Sequence, residues 1–185
     1  MLRFSKKHNY DGLLICVEGI DGSGKSTQIE LLYNWLKSKG IDTILTQWNS
    51  SELISNTTKK AKKKNLLSGR TFSLLHAVDF ADRQERTIKP DLTFYFDVTS
   101  KESLERICSN RQPKFYEAGM DMKLSNNPYK SYVLFQNRIL EQYKEMVDEF
   151  GLIQIDALDS IHQKQKFIRQ RVCDLLNKHN IKIEL

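Results

Sequence analysis

Residues 17–28 read VEGIDGSGKSTQ and follow directly on the apolar run LLIC at 13–16. Gly19, Gly22 and Gly24 crowd a single lysine, Lys25, and the hydroxyl side chains Ser23, Ser26 and Thr27. The octet from Gly19 to Ser26 fits G-x-x-x-x-G-K-[ST] with an apolar strand before it and a helical pattern after it, the context in which such a loop grips phosphate. The composition has a physical reason. Backbone amides must converge on phosphate oxygens, which a glycine-rich turn permits, and the next helix adds the positive end of its dipole. Gly19, Asp21, Gly22, Ser23, Gly24, Lys25, Ser26 and Thr27 are therefore the predicted nucleotide-phosphate-binding set, with Lys25 on the outer phosphates and the Ser26 hydroxyl ready to ligate Mg2+.

Around this loop, apolar and helical runs alternate. Residues 13–18 read as a buried strand, and 26–39 as a helix with Ile29, Leu32 and Leu36 on one face and Gly40 as its stop. IDTILTQW (41–48) reads as a second strand, 50–65 as a polar helix, and 71–88 as a helix with Phe72, Leu75 and Val78 on its apolar face. DLTFYFDV (91–98) is the third predicted strand, followed by a capping box at Thr99 and Glu102. Residues 113–130 look like loop, 132–150 like a long amphipathic helix closed by Gly151, and LIQID (152–156) like a fourth strand; Ser160 and Gln163 cap a last helix. The reading is α/β: one domain over 1–185, a parallel sheet with helices on both faces.

The 185 residues carry 28% charged and 39% hydrophobic side chains, an ordinary soluble balance. Cys16, Cys108 and Cys173 are odd in number and widely spaced, which points to reduced thiols and a cytoplasmic setting. No stretch reads as a signal peptide or a membrane span. Much of the net charge of +6 sits in KKAKKK at 59–64. No aromatic residue interleaves with these lysines, so they read as a solvated helix face, and nucleic acid is disfavoured as a partner. A GTPase is disfavoured too, because NKHN (177–180) lacks the aspartate of N-K-x-D and the glycine of DEFG (148–151) merely ends a helix.

CVEGIDGSGKSTQIELL resembles the opening of thymidylate kinases; KPDLTFYFDV with LERI resembles their fourth strand and next helix, and FQNRILEQY a late helix of the family. The resemblance implies a P-loop kinase fold, ATP and a nucleoside monophosphate as substrates, most directly dTMP, magnesium as cofactor, and a lid over about 109–130. A homodimer is compatible with it. By the same resemblance Asp21 faces the acceptor sugar, and His76, Phe80 and Arg83, on one face of the 71–88 helix, hold the acceptor base. Gly22 stands where one branch of the family has an arginine, so the lid must supply the catalytic cation: Arg111 first, with Arg106 and Lys114 behind it.

Two departures stand against this likeness. Gln47 occupies the place of an arginine that grips the acceptor phosphate, and no Asp-Arg-Tyr strand lies between Ile88 and Asp91. Four strands are readable where five are expected. Either the sequence as written lacks a segment of roughly forty residues, or the chain is a naturally shortened variant. Three functions stay open at this point: a monophosphate kinase, a non-catalytic nucleotide-binding module, and a P-loop kinase for another small acceptor such as a nucleoside.

Overall fold

Three parallel strands, β1 (Ile15–Glu18), β2 (Leu92–Asp97) and β3 (Ile153–Asp156), pair in that order. The computed structural model describes residues 12–47, 51, 54–83 and 90–183, with backbone alone at 80–83. β1 leads through the glycine-rich loop into α1 (Lys25–Ser38), β2 into α4 (Ser100–Cys108) and β3 into α6 (Ile161–Lys178). Strands that all run one way need a crossover on a face of the sheet, which is what these helices provide.

The register sets both faces. Val17, Phe94 and Ile153 stand abreast, as do Glu18, Tyr95 and Gln154. Side chains alternate along a strand. Phe94 and Phe96 thus join Leu32, Trp35 and Leu36 of α1 and Ile168, Val172 and Leu176 of α6 in one buried cluster. Each phenylalanine is fully buried, worth about 1.5–3 kcal/mol. Tyr95 points the other way and stacks on Tyr143 of α5 (Pro128–Phe150), ring centroids 4.8 Å apart. The Tyr143 hydroxyl donates to Glu18 at 2.9 Å. Helices therefore cover both faces, as predicted.

The local signals at helix ends operate as read. Thr99 and Ser160 each form a complete capping box, with Glu102 and Gln163 respectively. Gly40 and Gly151 take positive φ after α1 and α5. Asn127 caps α5 with Pro128 in its first turn, so this helix starts earlier than predicted and the loop before it is shorter.

Among the described residues the prediction of four strands is corrected to three. Residues 41–47 belong to no ladder; Ile44 is 89% exposed. The apolar pattern there is strand-like, but a strand exists only beside a partner, and β2 is the one strand that β1 pairs with among the described residues. α2 is Ser55–Lys63 and α3 is Gly69–Arg83; the predicted end of α3 at Ile88 lies outside the described residues. The apolar face predicted for α3 is turned as well. Phe72, Leu75 and His76 are half-buried and Asp79 fully buried, whereas Val78 is exposed. The Asp79 carboxylate explains the turn, because it accepts the Ser51 N–H at 2.9 Å in the interior.

Candidate functional site

The loop between β1 and α1 is held from several sides. Gly22 has φ +76°, and a Cβ there would lie 2.7 Å from the Ser103 carbonyl oxygen of α4. No side chain fits at this position, which is why an arginine is foreign to it. Arg106 of α4 donates to the Ala157 carbonyl at 2.9 Å and to the Gly22 carbonyl at 3.4 Å. Gln165 of α6 donates to the Gln28 backbone and side-chain oxygens at 2.9 and 2.8 Å, fixing the first turn of α1. Arg106 is thus occupied with backbone carbonyls.

Lys25 folds back over the loop, its Nζ donating to the Gly19 and Ile20 carbonyls at 2.6 and 2.7 Å. Burial lowers its pKa, against the pull of Asp21 and Glu18. Asp21 keeps a solvent-facing surface, yet the protein crowded about its carboxyl raises its pKa. Lys25 opposes that rise, Glu117 adds to it, and Arg111 and Lys114 oppose it. Ser26 and Thr27 are exposed in the first turn of α1.

Arg111 and Lys114 stand on the loop between α4 and α5, and both engage Glu117. The Arg111 guanidinium makes two contacts with this carboxylate, at 2.7 and 3.0 Å, and the Lys114 Nζ lies 3.7 Å away. Burial alone would raise the Glu117 carboxyl. The hydrogen bonds from Arg111 and from the Lys114 backbone N–H outweigh it and hold the pKa below the ordinary value. Tyr116 of the same loop exchanges hydrogen bonds with the Leu67 backbone and stacks on Phe72 of α3 at 5.2 Å.

The His76 ring meets Phe72 edge-on at 4.5 Å, and burial lowers its pKa, with Lys62 adding to the effect. The side chains of Phe80 and Arg83 lie outside the described residues. Lys62 corrects the solvated-face reading of the lysine run. Lys59, Lys60, Lys63 and Lys64 are exposed, but Lys62 is half-buried with its Nζ 4.6 Å from the Phe72 ring centre. Burial lowers its pKa, while Asp21 is the carboxylate that most strongly favours its charge. Lys62 and Glu117 were missed in the sequence. Helical phase could have found the first, because Ile54, Thr58 and Lys62 recur at intervals of four and the first two turn inward.

A family model described as thymidylate kinase matches residues 17–89. A probable thymidylate kinase 2 of Saccharolobus solfataricus is 37% identical, with 86% of this chain and 94% of that protein covered. The chain belongs to the thymidylate kinase family. A probable thymidylate kinase of Sulfurisphaera tokodaii is 25% identical over 88% of this chain and 96% of its own. A thymidylate kinase of Halothermothrix orenii reaches 42% over 44% of this chain and 40% of its own. Among solved structures, a deoxyadenosine kinase from M. mycoides with dCMP and dCDP shares the fold, with a TM-score of 0.50 and 15% identity over 87% of this chain and 98% of that one.

The first of these thymidylate kinase alignments is 202 positions long yet takes in 86% of a 185-residue chain, so about forty positions have no residue of this chain opposite them. The family model's match stops at residue 89, beside the point where the sequence has no Asp-Arg-Tyr segment.

Proposed function

We propose that this phosphotransferase moves the terminal phosphoryl group of ATP onto a nucleoside monophosphate, dTMP first among them. The observation that carries the proposal is the arrangement around Asp21. Asp21 belongs to the phosphate loop over which Lys25 folds, and Lys25, Arg111, Lys114 and Glu117 all act electrostatically on its carboxylate. Phosphoryl transfer needs its two substrates aligned and the charge of the moving group met by cations. In this reading the ATP phosphates take over the hydrogen bonds that Lys25 makes to the Gly19 and Ile20 carbonyls. Arg111 leaves Glu117 to close on the transferring group, Asp21 receives the acceptor sugar, and His76 lies beside the base. Phe80 and Arg83 complete the acceptor set by resemblance alone.

Among the described residues no group of three or more His, Cys, Asp or Glu side chains could cage a metal ion. An exposed Ser26 hydroxyl at the mouth of the loop suits magnesium that arrives on the nucleotide and keeps most of its waters. Ser26 would hold it, and the ion would neutralise charge between the outer phosphates.

A second reading, nucleotide binding without turnover, is favoured by the forty-position gap and by Gln47. A coupled ADP-release assay across the nucleoside monophosphates, with nucleosides alongside, separates the readings. Turnover is expected with dTMP. ATP binding by calorimetry with no release from any acceptor would leave only the second reading, and turnover with nucleosides alone would move the acceptor class.

A further inference from the structure

The backbone carbonyl of Asp21 accepts hydrogen bonds from the Tyr132 hydroxyl of α5, at 3.0 Å, and from the Ser103 hydroxyl of α4. The two hydroxyls lie 2.5 Å from each other, and both residues are fully buried. Burial pushes the Tyr132 phenol up to about 12, so it remains a donor at any working pH. Three short contacts share two protons. At any moment two of them are hydrogen bonds, and either hydroxyl can hold the carbonyl without the other.

The peptide bond joining Asp21 to Gly22 is trans. In a trans planar unit the C=O and the N–H point in opposite directions. A carbonyl drawn towards α4 and α5 therefore turns the Gly22 N–H away from both helices, and among the described residues no acceptor takes that N–H. The absent Cβ at position 22 is what lets the loop lie this close to α4.

We infer that Ser103 and Tyr132 are positioning residues for ATP: their hydroxyls fix the tilt of the Asp21–Gly22 peptide and so aim the Gly22 N–H at a phosphate oxygen. This rests on the loop being the ATP site. The clamp also joins the loop to the helix before the proposed lid and to the helix after it.

Ser103→Ala, Tyr132→Phe and the double variant form a cycle, read by steady-state ADP release with ATP and dTMP as magnesium-containing mixtures and by calorimetry with ATP. Each single variant is expected to raise the KM for ATP by about two- to threefold, since the remaining hydroxyl still holds the carbonyl. The double variant is expected to raise it by about twentyfold, more than the product of the two, with the KM for dTMP unchanged within about twofold. A double effect no larger than the product, or a parallel rise in the KM for dTMP, overturns the inference. Where the double variant fails to fold, the singles decide: an unaltered ATP KM in both overturns it. If the parent binds ATP but turns over no acceptor, the kinase reading fails while the same cycle, read as ATP affinity, still decides the clamp. A parent that binds no ATP removes both.

Discussion

The proposed donor side and the proposed acceptor side of this molecule are built to different standards. Around the phosphate loop, β1, β2 and β3 carry a buried cluster that α1 and α6 close, and the loop carbonyls are tied to α4 and α5. On the acceptor side, residues 41–47, α2 and α3 surround little of that core: Ile44, Leu45, Leu66, Leu74 and Val78 all stand exposed. The difference teaches that a buried core can form around the phosphate loop while the neighbouring segments stay loosely packed, in a chain that leaves about forty alignment positions of a relative unmatched.

The largest expected effect tests the donor side. Lys25→Ala should lower turnover by on the order of a thousandfold, because it removes a charge-assisted contact that strengthens as phosphoryl charge shifts. The ligand-free melting temperature should move by about 2 °C or less, since little packing is lost, and ATP should no longer raise it. Retained turnover with retained ATP stabilisation would break the donor reading. Next comes Phe96→Ala in the shared core, expected to cost about 3–5 kcal/mol in urea unfolding. A loss below about 1 kcal/mol would mean that the two sides are packed alike.

Lys62→Gln addresses the acceptor side. It should raise the KM for the monophosphate by about tenfold and leave that for ATP unchanged, because this lysine is half-buried and Asp21 is the carboxylate that most favours its charge. Lys63→Gln, one residue along and exposed, is the control; equal effects would return the whole run to a solvated face.

Asp21→Asn tests the junction. The folded-state pKa of Asp21 is raised, so the folded protein holds its proton to higher pH than the unfolded chain does, and stability falls as pH climbs from the ordinary aspartate range through the raised value. The asparagine variant should therefore melt higher than the parent at pH 7 without ligand, and the gain should vanish in acid, where both side chains are neutral. A lower melting point at pH 7 would show that the attraction to Lys25 outweighs burial. The smallest effect is expected at Leu74, where truncation to alanine should change stability by less than about 0.5 kcal/mol.

What could be read in advance follows the distance over which each feature is encoded. The phosphate loop and both capping boxes lie within a few consecutive residues, so composition and spacing specify them almost completely. Residues 41–47 show where that stops: their pattern suits a strand, but a ladder needs a neighbour that local pattern cannot supply. Val78 was assigned inward by periodicity, and the buried Asp79 beside it decides the phase through Ser51, 28 residues away. Ser103 and Tyr132 sit on different helices and meet each other and the Asp21 carbonyl only in the folded chain, so neither carries a signal along the sequence.

β1 meets β2 in parallel, and the pairing is opened by the Asp91 carboxylate, which accepts the Leu14 N–H at 2.8 Å from 77 residues further along. Closing a loop grows dearer only with the logarithm of its length, so a detour longer by about forty residues would add about 0.4 kcal/mol. The strand that bears the phosphate loop can thus dock on the centre of the sheet at nearly the same free energy whatever the length of the excursion between them. Lengthening or shortening that excursion therefore changes the entropy of closing β1 onto β2 very little.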